Sequence, residues 1–224
     1  MKVWVYVEGK SDVNALSALW SNWKQKLREK GWGIHIIPLD NKSKYFENFG
    51  HRATEKLLND SSDLVVGLPD LYPNQNYANT EYRHNNLKEL QNVQNRLVNK
   101  SLSSEKKIRE ADVGSHMARF YASALKHDLE VLLLAATSQL QSRLKTQDKL
   151  RGWRLPPEDQ NQNKPPKRIV EELFSKYRKG KSYNDVEDGP AILRNADLRE
   201  VAEQCPAFRV MINWIGEKTK VPGY

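Results

Sequence analysis

Four acidic residues, Glu8, Asp12, Asp70 and Glu130, are spaced so that a single α/β sheet could bring them together. Glu8 follows five β-prone residues, Val3 to Val7, and precedes Gly9 and an amphipathic stretch. That order reads as a buried strand, a tight turn and a helix start. Glu8 then stands at the strand's C-terminal end, the edge on which a parallel sheet opens toward ligands. Gly9 suits the turn, and Ser11 or Asp12 can cap the helix. Asp70 is placed equivalently, after the apolar run Leu64 to Leu68. His127 and Glu130 are three residues apart at the head of another apolar run, so a helix there presents both to the same sheet edge. An imidazole and a carboxylate at that spacing can share a metal ion or a proton-transfer task. The other reading of the pair is a helix N-terminus with favourable acidic residues and a capping histidine.

Basic residues could serve the same centre. Lys167 and Arg168 follow Pro165-Pro166 at a predicted helix start. Positive charge there disfavours the helix unless something negative lies close, such as a phosphate or the carboxylates above. Arg178-Lys179-Gly180-Lys181 forms a second basic cluster.

The elements that must position these groups follow from periodicity. Val13 to Lys30 reads as a helix with one buried face that includes Trp20 and Trp23, ended by Gly31. Trp32 to Leu39 is a second strand, Asn48 to Asn59 a short helix and Leu64 to Leu68 a third strand. The order βαβαβ implies a parallel sheet with right-handed crossovers. Asp70 to Tyr82 is a polar, turn-rich loop, Asn85 to Asp112 a long helix, and Arg119 to Leu125 a fourth strand. Beyond the Pro- and Asn-rich loop 151–166 come a helix over Lys167 to Arg178 and, after Gly189-Pro190, two more over Ala191 to Gln204 and Ala207 to Lys218. The expected organisation is an α/β core over residues 1–136 with a helical C-terminal extension, 137–224, packed on it.

Composition narrows the function classes. The longest apolar run, Val131 to Ala136, is six residues, far below the roughly eighteen of a membrane span. The chain opens directly on a strand rather than on a signal-peptide pattern. The single cysteine, Cys205, excludes an internal disulfide and fits a reducing cytoplasm. The net charge of +8 favours a polyanionic partner.

The strand followed by Glu8-Gly9-Lys10-Ser11-Asp12, with a later strand ending at an acidic residue, resembles the Toprim domain of primases, topoisomerases and overcoming-lysogenization-defect nucleases. In that family the first Glu acts as acid/base or metal ligand, and a later Asp-x-Asp binds a divalent metal. Glu8 matches the first motif and Asp70 the first Asp of the second, while Tyr72 stands where the second Asp would be. A narrower resemblance adds Asp70-Leu71-Tyr72, His127-Asp128-Leu129-Glu130, Pro165-Pro166-Lys167-Arg168 and Cys205-Pro206-Ala207-Phe208. These patches are similar to a Toprim-like family of unknown function often encoded beside ABC- or SMC-type ATPases in bacterial defence loci.

The resemblance implies a Toprim-like parallel sheet flanked by helices, and a metal-dependent nuclease effector controlled by an ATPase partner, with Mg²⁺ (or Mn²⁺) as cofactor. If Glu8, Asp70 and Glu130 converge, their oxygens suit Mg²⁺, and Asp12 adds a ligand or only caps its helix. Lys167 and Arg168 would hold the phosphate, with Lys10, Arg178, Lys179 and Lys181 as further nucleic-acid contacts, and His127 would orient Glu130 or assist proton transfer. The polyanion is RNA, tRNA included, or DNA. A homodimer is a further expectation from the Toprim resemblance. The competing expectation is a catalytically silent binding subunit of an ATPase complex, which Tyr72 favours.

Overall fold

The computed structural model describes residues 1–224, the Glu105 side chain excepted. Four parallel strands, β1 (Lys2–Val7), β2 (Gly33–Pro38), β3 (Leu64–Gly67) and β4 (Phe120–Ala122), lie in the order β2-β1-β3-β4. The chain moves outward from β1 to β2, then returns to place β3 on the other side of β1. The C-terminal ends of β1 and β3 therefore border a topological switch point, where open α/β sheets form their ligand crevice.

Alternation along β1 assigns the two faces. Val3, Val5 and Val7 enter a core with Leu16, Trp20, Phe174, Phe208 and Met211. Tyr6 points the other way, into a core with Tyr45, Phe49, Leu90 and Phe120. The second face is covered by α3 (Lys42–Asn59) and α4 (Leu87–Lys100). The first is covered by α1 (Lys10–Leu19), α2 (Ser21–Glu29), α6 (Glu130–Ala135), α8 (Pro166–Tyr177) and α11 (Pro206–Thr219). α5 (Glu110–Met117), α7 (Thr137–Leu144), α9 (Asp185–Leu193) and α10 (Leu198–Gln204) complete the set. The fold is α/β, with a parallel sheet flanked by helices and a helical C-terminal region, the layout expected of a Toprim-like core. No helix among the described residues is long and apolar enough to cross a membrane.

Four helix boundaries differ from expectation. The helix expected over Val13 to Lys30 starts at Lys10 and breaks at Trp20. The break lets Trp20 and Trp23 meet edge to face at 5.9 Å in one core. The helix expected from Asn48 begins at Lys42, because the Asn41 side chain accepts a hydrogen bond from the Lys44 N–H and buries Tyr45 and Phe46 on the next turn. The long helix over Asn85 to Asp112 is instead α4, a π-helical turn Ser101–Glu105 and then α5. Gly189-Pro190 lies inside α9, not ahead of a helix, and the stretch Ala191 to Gln204 divides between α9 and α10, where Asp197 caps the Arg199 N–H.

Candidate active site

β1 delivers Glu8 to the switch point, and Glu8 Oε1 accepts the Asp70 N–H at 3.0 Å. That bond ties the end of β1 to the segment leaving β3. Asp12 Oδ2 accepts the Gly9 N–H at 2.8 Å, closing the turn from inside the helix, so Asp12 caps through the preceding N–H. Asp12 also lines the cavity described below. Burial pushes the Glu8 carboxyl up to about 7, with Lys42 and the Asp70 N–H pulling it down and Asp12 pushing it up. Asp70 is held well above the carboxylate range by burial and then by Glu8, Asp12 and Asp128.

Lys42 supplies the countercharge for this deep pair. It opens α3, and its ammonium donates to the carbonyls of Leu71 and Pro73, both at 2.9 Å. Burial lowers it to about 8, against the raising influence of Glu8 and Asp70.

Asp70 also joins the second half of the site. It forms an isolated parallel bridge with Leu125, supported by Leu71 N–H to Leu125 O at 2.8 Å. The chain then runs directly into His127, Asp128 and Glu130. Asp128 Oδ2 accepts the Lys167 N–H at 3.2 Å, while Oδ1 is buried without a hydrogen-bond partner. Burial raises Asp128 to about 6. Glu130 rises to about 8 through burial and then through Asp128, with Lys167 opposing. The Lys167 ammonium stands 3.3 Å from Asp185 Oδ2. The positive charge at the start of α8 is thus answered by carboxylates, one of the two partners the sequence required. The Tyr183 hydroxyl is buried beside Glu130, and burial and then that carboxyl suppress its ionisation.

These groups face a cavity of about 430 Å³ lined by Asp12, Asp70, Asp128, Glu130, Asp185 and Lys167, together with Ser11, Tyr72, Gln75, His127 and Gln162. Neighbouring carboxylates add to burial in raising Asp12, Asp70 and Glu130, and an entering cation would relieve them. The donors are oxygens, the set preferred by Mg²⁺ or Mn²⁺. Among the described residues, no three His, Cys, Asp or Glu side chains are close enough to form a metal cage as they stand. The fit is to a hydrated Mg²⁺, which uses one or two carboxylates and keeps several waters. Asp70 and Asp128, which both line the cavity, offer this.

The sequence-derived residues fare unequally. Asp12, Asp70, Glu130 and Lys167 line the cavity, whereas Glu8 sits behind Asp70. His127 lies ahead of α6 rather than on its face. Its ring packs on Tyr72 at 5.2 Å, Nδ1 has no hydrogen-bond partner, and burial lowers its pKa. Orientation of Glu130 by His127 is therefore replaced by contact with Tyr72, the residue standing where a second Asp was sought. Lys10 is exposed on the first turn of α1, and Arg168 is exposed and paired with Glu172 at 3.4 Å. Arg178, Lys179 and Lys181 lie beyond the far end of α8, about 16 Å along its axis from Lys167 at 1.5 Å per residue. Arg178 donates there to the Arg143 carbonyl. The second basic cluster is not part of the cavity, because one straight helix separates it from Lys167.

Sequence reasoning missed Lys42, Asp128 as a site residue, Asp185 and Tyr183. The Asn41 cap was the available signal for Lys42, since it starts α3 at the C-terminal edge of β2. Asp128 sat inside the quoted His127–Glu130 motif. Asp185 follows the cap Asn184, which bonds the Val186 N–H, and only the packing of α9 beside α1 reveals where it points.

A family model described as a domain of unknown function (DUF4276) matches residues 7–216. The search of curated proteins gives no match, and neither does the search of solved structures.

Proposed function

The chain belongs to the DUF4276 family, and since that membership names no chemistry, we propose from the site itself that it is a divalent-metal-dependent phosphodiester hydrolase. The observation that carries the reading is one cavity that Asp128 shares with four other carboxylates, Asp12, Asp70, Glu130 and Asp185, and with a single lysine. Such a concentration of buried acid is costly unless a cation joins it. Mg²⁺, when bound, supplies Lewis-acid activation of a phosphodiester and of water. Asp70 and Asp128, with waters completing the shell, would hold it. Glu8 fixes Asp70 through its backbone N–H. Lys167 is the one cation lining the cavity and would contact a phosphate oxygen, with exposed Arg168 one residue further on. Glu130, protonated up to about pH 8, can hold the proton a leaving oxygen requires.

The resemblance to Toprim nucleases extends the proposal to a cytoplasmic nuclease effector of antiviral defence, acting on RNA or DNA under an ABC- or SMC-type ATPase. A catalytically silent binding subunit of such an ATPase is the second reading, favoured by the lack of a preformed three-ligand cage among the described residues. Calorimetric titration with Mn²⁺ separates them. The hydrolase reading expects saturable binding that weakens at least tenfold in Asp70→Asn and Asp128→Asn proteins of unchanged circular dichroism. Absence of saturable binding to the native chain sinks it and leaves the silent subunit.

A further inference from the structure

α1 and α9 border the acidic cavity on one side. Ser11 and Asp12 line it from α1 and Asp185 from α9. Past them, a second hollow runs between the same two helices, lined by Asn14, Ser17, Ser21, Glu187, Pro190 and Arg194. Ser11, Asn14 and Ser17 are spaced by three residues and so form one stripe on the surface of α1. Arg194 is shared with a third hollow, of about 600 Å³, which Lys26 and Arg199 also line. The three hollows thus lie one after another along α1 and α9, a line of hollows, the α1–α9 furrow, that leads away from the carboxylates.

Charge changes sign along this furrow. Lys24 donates to Ser17 Oγ at 3.0 Å, and Ser17 lines the middle hollow together with Glu187. The far end gathers Lys26, Arg194 and Arg199 against one acid, Asp197, whose Oδ1 is occupied by the Arg199 N–H. Lys26, Arg194 and Arg199 are exposed and form no ion pair among the described residues, while Arg199 lies 5.7 Å over the Tyr224 ring. Cations left unpaired next to a furrow in a chain of net charge +8 are what a polyanion needs. From Asp185 to Arg194 α9 rises about 14 Å, which spans about four steps of a stacked nucleic-acid strand at 3.4 Å each.

We propose that the α1–α9 furrow is the track of a single polynucleotide strand, with its backbone held at the far end by Lys26, Arg194 and Arg199 while the phosphate to be cut occupies the acidic cavity. The assignment rests on the hydrolase reading and gives it a substrate class, a strand that must extend about four nucleotides beyond the cut. It also places the nucleic-acid contacts on a face different from the basic cluster at Arg178, Lys179 and Lys181.

The test is fluorescence anisotropy of labelled single-stranded oligonucleotides, RNA and DNA, in EDTA across a potassium chloride series, so that binding is read without metal or cleavage. The native chain is compared with the triple variant Lys26→Gln, Arg194→Gln, Arg199→Gln and with the triple variant Arg178→Gln, Lys179→Gln, Lys181→Gln. The double variant Lys26→Gln, Arg194→Gln keeps the Arg199–Tyr224 contact in case the first triple variant does not fold. Expected are at least a tenfold loss for the furrow variants and a salt slope smaller by about 0.7 per cation removed. The other triple variant should bind within about twofold of the native chain. Equal losses in both, a loss confined to the Arg178 cluster, or no binding by the native chain at low salt overturns the track. Mn²⁺ uptake is measured separately, so a furrow that binds in a chain that takes up no metal fails the hydrolase alone.

Discussion

At the scale of single residues, Lys42 explains how so much acid stays folded together. Its ammonium is fixed between two carbonyls of the segment that carries Asp70, so Glu8 and Asp70 have a positive neighbour before any ion or substrate arrives. The compensation is partial. Asp128, Glu8 and Glu130 remain raised to about 6, about 7 and about 8 by burial first, and Asp70 is raised with them. Between the ordinary carboxylate range and about pH 8 the folded chain therefore binds more protons than the unfolded one. Stability from these groups is complete below the ordinary carboxylate range and is lost progressively from there up to about pH 8. Scanning calorimetry in EDTA should show the melting temperature falling across that interval. Glu8→Gln should flatten the fall and gain about 2 kcal/mol over the native chain at pH 8. A melting temperature that rises from pH 6 to 8 in both proteins would refute the assignment of these carboxyls.

At the scale of elements, the site depends on how closely β3 lies on α3 and α4. A Cβ built on Gly67 would stand 2.0 Å from Gln94 Oε1 and 2.5 Å from the Tyr45 hydroxyl oxygen. Those two atoms' residues are joined by a 2.9 Å hydrogen bond, and Gln94 reaches on to the Ser123 carbonyl at 2.7 Å. Gly67→Ala must displace this bridge three residues before Asp70, and should cost about 1–3 kcal/mol in chemical denaturation. A denaturation curve superposing on that of the native chain would count against it. The strands were legible because Val3 to Val7 and Leu64 to Leu68 are short apolar runs that each end at a turn, and the acids after them were legible for the same reason. Trp20 and Trp23 read correctly as core. The start of α3 was not legible from apolar spacing, since its first turn is Lys42-Ser43-Lys44 and only the Asn41 cap marks it. That misplaced boundary concealed Lys42. Asp185 was beyond reach for a different reason: its place beside Lys167 is set by the docking of α9 on α1, a contact between residues far apart in sequence.

At the scale of the whole molecule, the C-terminal helices share the core of the sheet and complete the cavity. Ile169, Phe174, Phe208 and Met211 pack with Val3, Val5 and Val7, and α8 and α9 contribute Lys167 and Asp185. The loop before α8 is anchored by Glu158, which is buried at 4% exposure and accepts the N–H groups of Ala207 and Phe208 at the start of α11. Removing the carboxylate leaves two buried donors at a positive helix end without a partner. Glu158→Ala should lower stability by about 2 kcal/mol, while Glu158→Gln recovers part of it, as read from paired denaturant midpoints. Equal midpoints for all three proteins would show that this anchor contributes nothing.

Because one wall of the cavity comes from residues 167 and 185 and is locked through residues 207 and 208, the order of synthesis matters. While residues 167–208 are still being made, β1, β3 and the acids they carry already exist, but Lys167 and α9 are not in place. A nascent chain of this design holds its acids without the lysine and the helix that border their cavity. The wall of the cavity is assembled only after the strands that bear its acids, and it is fixed only when residues 207 and 208 dock on Glu158.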